Sequence, residues 1–376
     1  MRNDRYFTLN TAISFMTDEQ ISNLKSEKEF VGHGKNSIVT ILNEKVFIKK
    51  IPLTKLEYEN SFNASNLYDL PTFYNYGVGS SGINSFREVL MHIKTTNWVL
   101  NSEIENFPIL YHYRIVKNIN PLKKFEDKNE FKKYIDEWNG DKNIEKYIID
   151  RENAEYEIIL FLEYFPNVLH KSLTTDVKQI ESYISQMTKT INFLNKHNII
   201  HFDAHSANIV LDSDTFYLTD FGLVLDMEFN LTDKEKEFFS KNTHYDYAMI
   251  IENIISPLYA GINKDSDAFD KRYNLTKKMT DKEVFEIIYK NLDDIKDYLN
   301  FNDDYVNLLK KYWKIIKIIP IFTYDMRHND KKDNVFPNDK VKNLINNINL
   351  HGGTYFDKYV KYKHKYLLLS KNKITF

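Results

Sequence analysis

The sequence predicts an α+β fold on three observations. Residues Phe30 to Ile51 read as strand, glycine turn, strand, tight turn, strand, with Gly32 and Gly34 in the first turn and Asn43-Glu44 in the second. A second hairpin is expected at Ile209–Leu211 and Phe216–Leu218, about a turn over Asp212–Thr215. Helical spacing accounts for the rest. Ile180, Tyr183, Ile184, Met187, Ile191 and Leu194 step by three and four, and residues 265–376 continue as amphipathic helices that include Glu283–Leu299 and Tyr305–Ile318.

The bulk properties bound the function. With 376 residues the chain is long enough for a substantial core, and 51 basic against 53 acidic residues leave a net charge of −2. That balance, with both signs interspersed, argues against nucleic acid or an acidic membrane as partner. The absence of cysteine excludes disulfides, thiolate metal sites and a cysteine nucleophile. The polar start Met1-Arg2-Asn3-Asp4-Arg5 does not read as a signal peptide, and apolar patches such as Ile315–Phe322 are too short to span a bilayer. A cytoplasmic protein is expected.

In chain order, Thr17-Asp18-Glu19-Gln20 forms a capping box that opens a short helix to about Lys25, within a helical extension over residues 1–29. In the strand Val46-Phe47-Ile48-Lys49, period-two alternation places Phe47 and Lys49 on one face and Lys50 on the other. Lys55–Asn60 carries Glu57 and Glu59 and is followed by loop-like Leu70-Pro71 and Gly77-Val78-Gly79-Ser80-Ser81-Gly82. A helix is expected from Ser85 through Glu88 to Ile93, and a strand at Phe107–Val116. Residues 117–155 are densely charged, with Phe131, Tyr134, Ile135 and Trp138 at helical spacing. A buried strand at Glu157–Glu163 is broken by Tyr164-Phe165-Pro166-Asn167. His244–Ile255 is apolar nearly all round and is expected to be a central helix.

The chemistry concentrates around the second hairpin. Asp203 and Asn208 precede it and Asp220 follows it, so a tight hairpin brings these three side chains together. Two carboxylates and an amide suit an oxygen-preferring divalent cation with a proton acceptor beside it. A transition-metal site on His201, Asp203 and His205 would need further His or Cys ligands.

These residues also carry a resemblance. His201-Phe202-Asp203-Ala204-His205-Ser206-Ala207-Asn208 resembles the catalytic loop H-R-D-x-x-x-x-N of protein kinases, and Asp220-Phe221-Gly222 resembles their D-F-G. Gly32, Gly34, Ser37 and Val39 fit the loop G-x-G-x-x-G-x-V, with Ser37 in place of the third glycine. The resemblance implies a bilobal kinase-like fold. A small antiparallel-sheet lobe would cover residues 30–164, with insertions at about 55–84 and 117–155, and a larger helical lobe residues 165–376.

It also implies ATP and Mg²⁺ as cofactors. Asp203 would take the acceptor proton, Asn208 and Asp220 would hold the metal, and Lys49 would hold the phosphates. Glu88 would pair with Lys49, with Glu57 and Glu59 as alternatives. The glycine-loop backbone would approach the phosphates. Leu162 would stand at the gatekeeper position, Glu163 and Phe165 would offer hinge backbone groups to adenine, and Asp246 would bind the catalytic-loop backbone.

Two residues depart from the pattern. Phe202 replaces an Arg, and His205 is similar to the aminoglycoside and choline kinases. No A-P-E motif follows. The short interval from Asp220 to Asp246 is expected to leave the acceptor side open. An atypical Ser/Thr protein kinase is the leading expectation, with a protein hydroxyl as acceptor. A small-molecule kinase and a nucleotide-binding pseudokinase are the alternatives.

Overall fold

The structure is a computed structural model and describes residues 2–30, 35–121, 123–125 and 127–348. Gly32 and Gly34 lie outside the described residues, as do the helices expected beyond residue 348. The molecule has two lobes. The first is built on an antiparallel sheet of β1 (Ser26–Phe30), β2 (Lys35–Ile41), β3 (Glu44–Leu53), β4 (Leu110–Lys117) and β5 (Tyr156–Glu163), in the order β1-β2-β3-β5-β4. The tight turn falls one residue earlier than the sequence suggests. Leu42 and Asn43 take φ of 51° and 64°, the left-handed pair that a two-residue hairpin requires, and Glu44 already pairs with Ile41.

Period two decides what each sheet face does. Val46 and Ile48 of β3 share a buried cluster with Leu9 and Ile13 of the helix Arg2–Ser14, which packs along β4. Phe47, Ile51 and Leu53 join a second cluster with Phe86 and Val89 of the helix Ser85–Leu100. Lys49 therefore points towards that helix, and Lys50, on the other face, pairs with Glu157 at 3.1 Å. The Thr17 capping box is present, although its helix stops at Ser22.

The two segments between these strands pack on each other. Helices Lys128–Glu137 and Lys142–Glu152, with the cap residue Trp138 between them, bury Tyr134, Trp138, Ile144 and Tyr147 against Tyr68, Leu70 and Tyr74. The Tyr74 and Tyr134 hydroxyls lie 2.6 Å apart, and Tyr68 donates to Asp150 at 2.9 Å.

The second lobe is helical. The helix Val177–Lys196 buries the six residues whose spacing predicts it. The central helix, Tyr245–Glu252, has seven of its eight residues buried and continues into a 3-10 turn at Asn253–Ile255. The expected helix Glu283–Leu299 divides at Asn291 into Asp281–Lys290 and Leu292–Leu299, and Asp303–Ile316 follows. Among the described residues no helix is long and apolar enough to cross a membrane.

Five short strands frame the polar loops: β6 (Asn167–Val168), β7 (Ile199–Ile200), β8 (Ile209–Asp212), β9 (Thr215–Leu218) and β10 (Leu225–Asp226). β8 and β9 form the expected hairpin, with β6 alongside. β10 returns to pair with β7, Leu225 opposite Ile200. Residues 201–224 are thus a closed excursion whose two mouths are held together, which brings Asp203 and Asp220 to one place.

Candidate active site

Lys49 reaches from β3 into the cleft between the lobes. Its Nζ lies 2.6 Å from Glu88 Oε1 and 2.8 Å from Asp220 Oδ1. Burial opposes the Lys49 charge, but the two carboxylates more than offset it and raise its pKa. Burial likewise works to raise Asp220, and Lys49 holds it down at about 2. The neighbouring acids are committed elsewhere. Buried Glu57 accepts from the backbone of Thr54 and of Ser85, so it caps the Glu88 helix, whereas Glu59 faces Lys55 in solvent. Phe221 is buried between His92 and His201, with ring centroids 4.7 and 5.2 Å away, and so anchors the loop that presents Asp220.

The catalytic-loop geometry is set by Asp246. Its carboxylate accepts from the backbone of His201 at 2.7 Å and of Phe202 at 2.9 Å. These bonds hold Phe202 at φ 63°, an uncommon conformation for an aromatic residue, and Asp220 stands at φ 65° across the site. Asn208 donates its amide to Asp203 Oδ2 at 2.8 Å, which leaves the Asn208 carbonyl oxygen as its ligand atom. Burial lifts the Asp203 carboxyl to about 6, His205 draws it down, and Asp220 pushes it up. His205 accepts from the Ala207 backbone through Nδ1, so Nε2 carries the hydrogen and faces Asp203 Oδ1 at 3.6 Å.

Asn208 and Asp220 make a ligand pair suited to magnesium, a cation that takes few protein oxygens and completes its shell with water and phosphate. His201 is buried with both ring nitrogens engaged, by Thr219 and by the Asp203 backbone, and burial lowers its pKa to about 3. It has no lone pair to give a transition metal. Among the described residues no group of three or more His, Asp or Glu side chains could hold a metal ion.

The segment joining the lobes adds detail that the sequence does not show. Glu163 directs its carboxylate to the Arg2 guanidinium at 2.6 Å, and its backbone N–H donates to the Ile109 carbonyl at 2.8 Å. Phe165 stacks on Tyr217 with centroids 4.1 Å apart, and Arg2 lies over the same Tyr217 ring at 5.1 Å. Ser37 and Val39 lie on β2, opposite Ile48 and Val46 of β3.

The acceptor side is not open, contrary to the sequence expectation. Residues 72–82 run across it. A Cβ on Gly77 would stand 2.6 Å from Asp203 Oδ1, and one on Gly82 would clash with the Gly222 carbonyl. Tyr76 sits in an aromatic cluster with Phe202, Phe238, Tyr245 and Phe322. Phe202 is therefore a packing residue under this segment. Arg87, next to Glu88, is 1% exposed and pairs with Glu235 at 2.6 Å, which ties the Glu88 helix to the second lobe. Only a glycine-rich run marked residues 77–82 in the sequence, and that composition does not distinguish a wall from a loop.

The two-lobed fold and this grouping of one lysine, three acids and an amide define a kinase-like domain. The family described as protein kinase domain matches residues 112–246, which contain the Asp203 and Asp220 loops but neither Lys49 nor Glu88. Over 107 residues, 27% of its length, the chain is 36% identical to the dual specificity protein kinase zak2 of Dictyostelium discoideum. Over 152 residues, 40% of its length, it is 34% identical to the serine/threonine-protein kinase pakG of the same organism. A serine/threonine-protein kinase-like protein of Arabidopsis thaliana is 40% identical over 77 residues, 18% of the chain. The aligned parts span 16%, 12% and 22% of those relatives. Together with the two-lobed fold, the matched region supports a protein kinase-like superfamily for the chain.

Proposed function

We propose that the protein transfers the γ-phosphoryl group of ATP to an alcohol, as an atypical Ser/Thr protein kinase acting on a protein hydroxyl. The observation that carries this reading is the joined set Glu88–Lys49–Asp220, with 2.6 and 2.8 Å contacts, facing an Asp203 that Asn208 holds in place. A carboxyl lifted towards neutrality beside a charged network in a cleft is a pattern concentrated at functional sites. Lys49 would hold the phosphates and Asp203 would orient the acceptor and receive its proton. Asn208 and Asp220 would hold magnesium, which supplies charge neutralisation to the phosphates. The acceptor oxygen bonds to the γ-phosphorus as the bond to the β–γ bridging oxygen breaks, and ADP leaves with that electron pair.

Two of the three relatives carry serine/threonine-protein kinase in their names, which favours a serine or threonine acceptor. A second reading, a small-molecule kinase, is favoured by the close approach of Gly77 to Asp203 Oδ1, which narrows the space for an acceptor. Labelled ATP with Mg²⁺, offered to casein and separately to a polyol panel, tests both. Label on casein, abolished by EDTA, is the expected result. Label only on a polyol selects the second reading, and nucleotide binding without transfer to any acceptor contradicts both.

A further inference from the structure

We infer that residues 72–82 are a fixed wall of the acceptor pocket and that Gly77 is its positioning residue, so that the acceptor enters end-on as a primary alcohol. The inference rests on the phosphotransfer reading for its chemistry, while the wall itself stands on packing. An acceptor hydroxyl must come within about 2.6–3.2 Å of the carboxylate that takes its proton. Asp203 Oδ2 is engaged by Asn208, which leaves Oδ1. Beside Oδ1 are His205 Nε2, at 3.6 Å, and Gly77, where even one methyl would stand 2.6 Å from Oδ1 and 3.3 Å from the Phe202 carbonyl. The approach is a gap between a backbone wall and an imidazole. That crowding favours a slender –CH₂OH over a carbinol carbon that carries a branch.

The wall is anchored on both sides, unlike a latch. Asn75, 3% exposed, donates to the Leu223 carbonyl at 2.6 Å, and the Tyr76 hydroxyl donates to Asn242 at 2.9 Å. On the opposite flank the Gly79 carbonyl accepts from Tyr134 at 3.2 Å and from Lys124 at 3.3 Å, and Lys124 also reaches Ser81 at 3.1 Å. The two inserted segments thus build this part of the pocket together. Gly77 does not need a left-handed φ, so Gly77→Ala adds a methyl without backbone strain.

The test compares serine and threonine forms of one peptide, with serinamide and threoninamide as the small-molecule arm. At least a tenfold preference for the primary alcohol is expected in whichever arm reacts. Gly77→Ala should lower kcat at least 100-fold while KM for ATP changes less than twofold. Asn75→Ala, which frees the wall from Leu223, should instead relax the preference for serine over threonine, an effect that mere destabilisation does not produce. Equal use of serine and threonine, or undiminished kcat in Gly77→Ala, overturns the inference. If the wild type phosphorylates nothing, the phosphotransfer reading fails, and hydrogen exchange then judges the wall. Slow exchange over residues 72–82, unchanged by Mg-ATP, supports it; fast exchange, or release on adding Mg-ATP, overturns it.

Discussion

Glu235→Gln isolates the tie between the Glu88 helix and the second lobe. Glu235 uses one oxygen for Arg87, at 2.6 Å, and the other for the backbone and hydroxyl of Thr232, both at 2.9 Å. Glutamine is acceptable in that capping box, so the change removes charge and leaves the helix start intact. The pair is buried, at 1% and 4% side-chain exposure; Arg87 Nη2 makes it, Nε donates to the Ala64 carbonyl at 2.8 Å, and Nη1 has no hydrogen-bond partner among the described residues. Breaking one side of such a pair strands the other charge, at a cost of about 3–5 kcal/mol. The retained cap places Glu235→Gln near the lower figure. Urea unfolding should show a loss of about 3 kcal/mol. Adding Arg87→Met removes the stranded guanidinium, so the double variant should be less destabilised than the sum of the singles by at least about 1 kcal/mol. A loss under about 1 kcal/mol for Glu235→Gln, typical of an exposed pair, would refute the reasoning.

Lys49→Met and Glu88→Gln should each reduce phosphotransfer, and the double variant should fall little below the worse single, because one ion pair is lost either way; additive losses in labelled-ATP assays would dissolve the pair. A base must be ionised, so kcat/KM should drop about tenfold per pH unit below the Asp203 value of about 6. His205 draws that carboxyl down, so His205→Ala should move the acid limb of the pH–rate profile to higher pH, and an unmoved limb would show that the limb belongs to another group. His92 is buried with neither ring nitrogen in a hydrogen bond among the described residues, its Nε2 standing 3.7 Å from Glu88 Oε1, so His92→Leu should cost less than about 1 kcal/mol or stabilise the fold in the same urea titration.

Much of the fold was legible where one period governs one face. Alternation along β3 separates Lys49 from Lys50, and the Ile180–Leu194 stripe marks a helix that buries all six of its stripe residues. Paired motifs at the two ends of a hairpin made the convergence of Asp203, Asn208 and Asp220 readable, since β7–β10 pairing only closes what the spacing implies. Features that depend on distant packing were not legible. Arg87 and Glu235 are 148 positions apart, and nothing local distinguishes that arginine from a solvated one. Arg2 looks like a surface residue until the first helix lies along the sheet and delivers it to Glu163. Phe202 reads as a lost arginine, and its packing role appears only with Tyr76 beside it. Gly77 is one glycine of a loop-like run, and the Asp203 it approaches lies 126 positions further along the chain.

The most direct test of the central claim is labelled phosphate transfer by the wild type and by Asp203→Ala, in ATP and Mg²⁺, beside a measurement of nucleotide binding by each. Asp203 is 20% exposed at its side chain and, among the described residues, is held by Asn208 with His205 3.6 Å away, so its loss should leave nucleotide binding nearly intact. Losing a positioned base should lower the transfer rate by about 10²–10⁴. Equal transfer by the two proteins would contradict the assignment of Asp203.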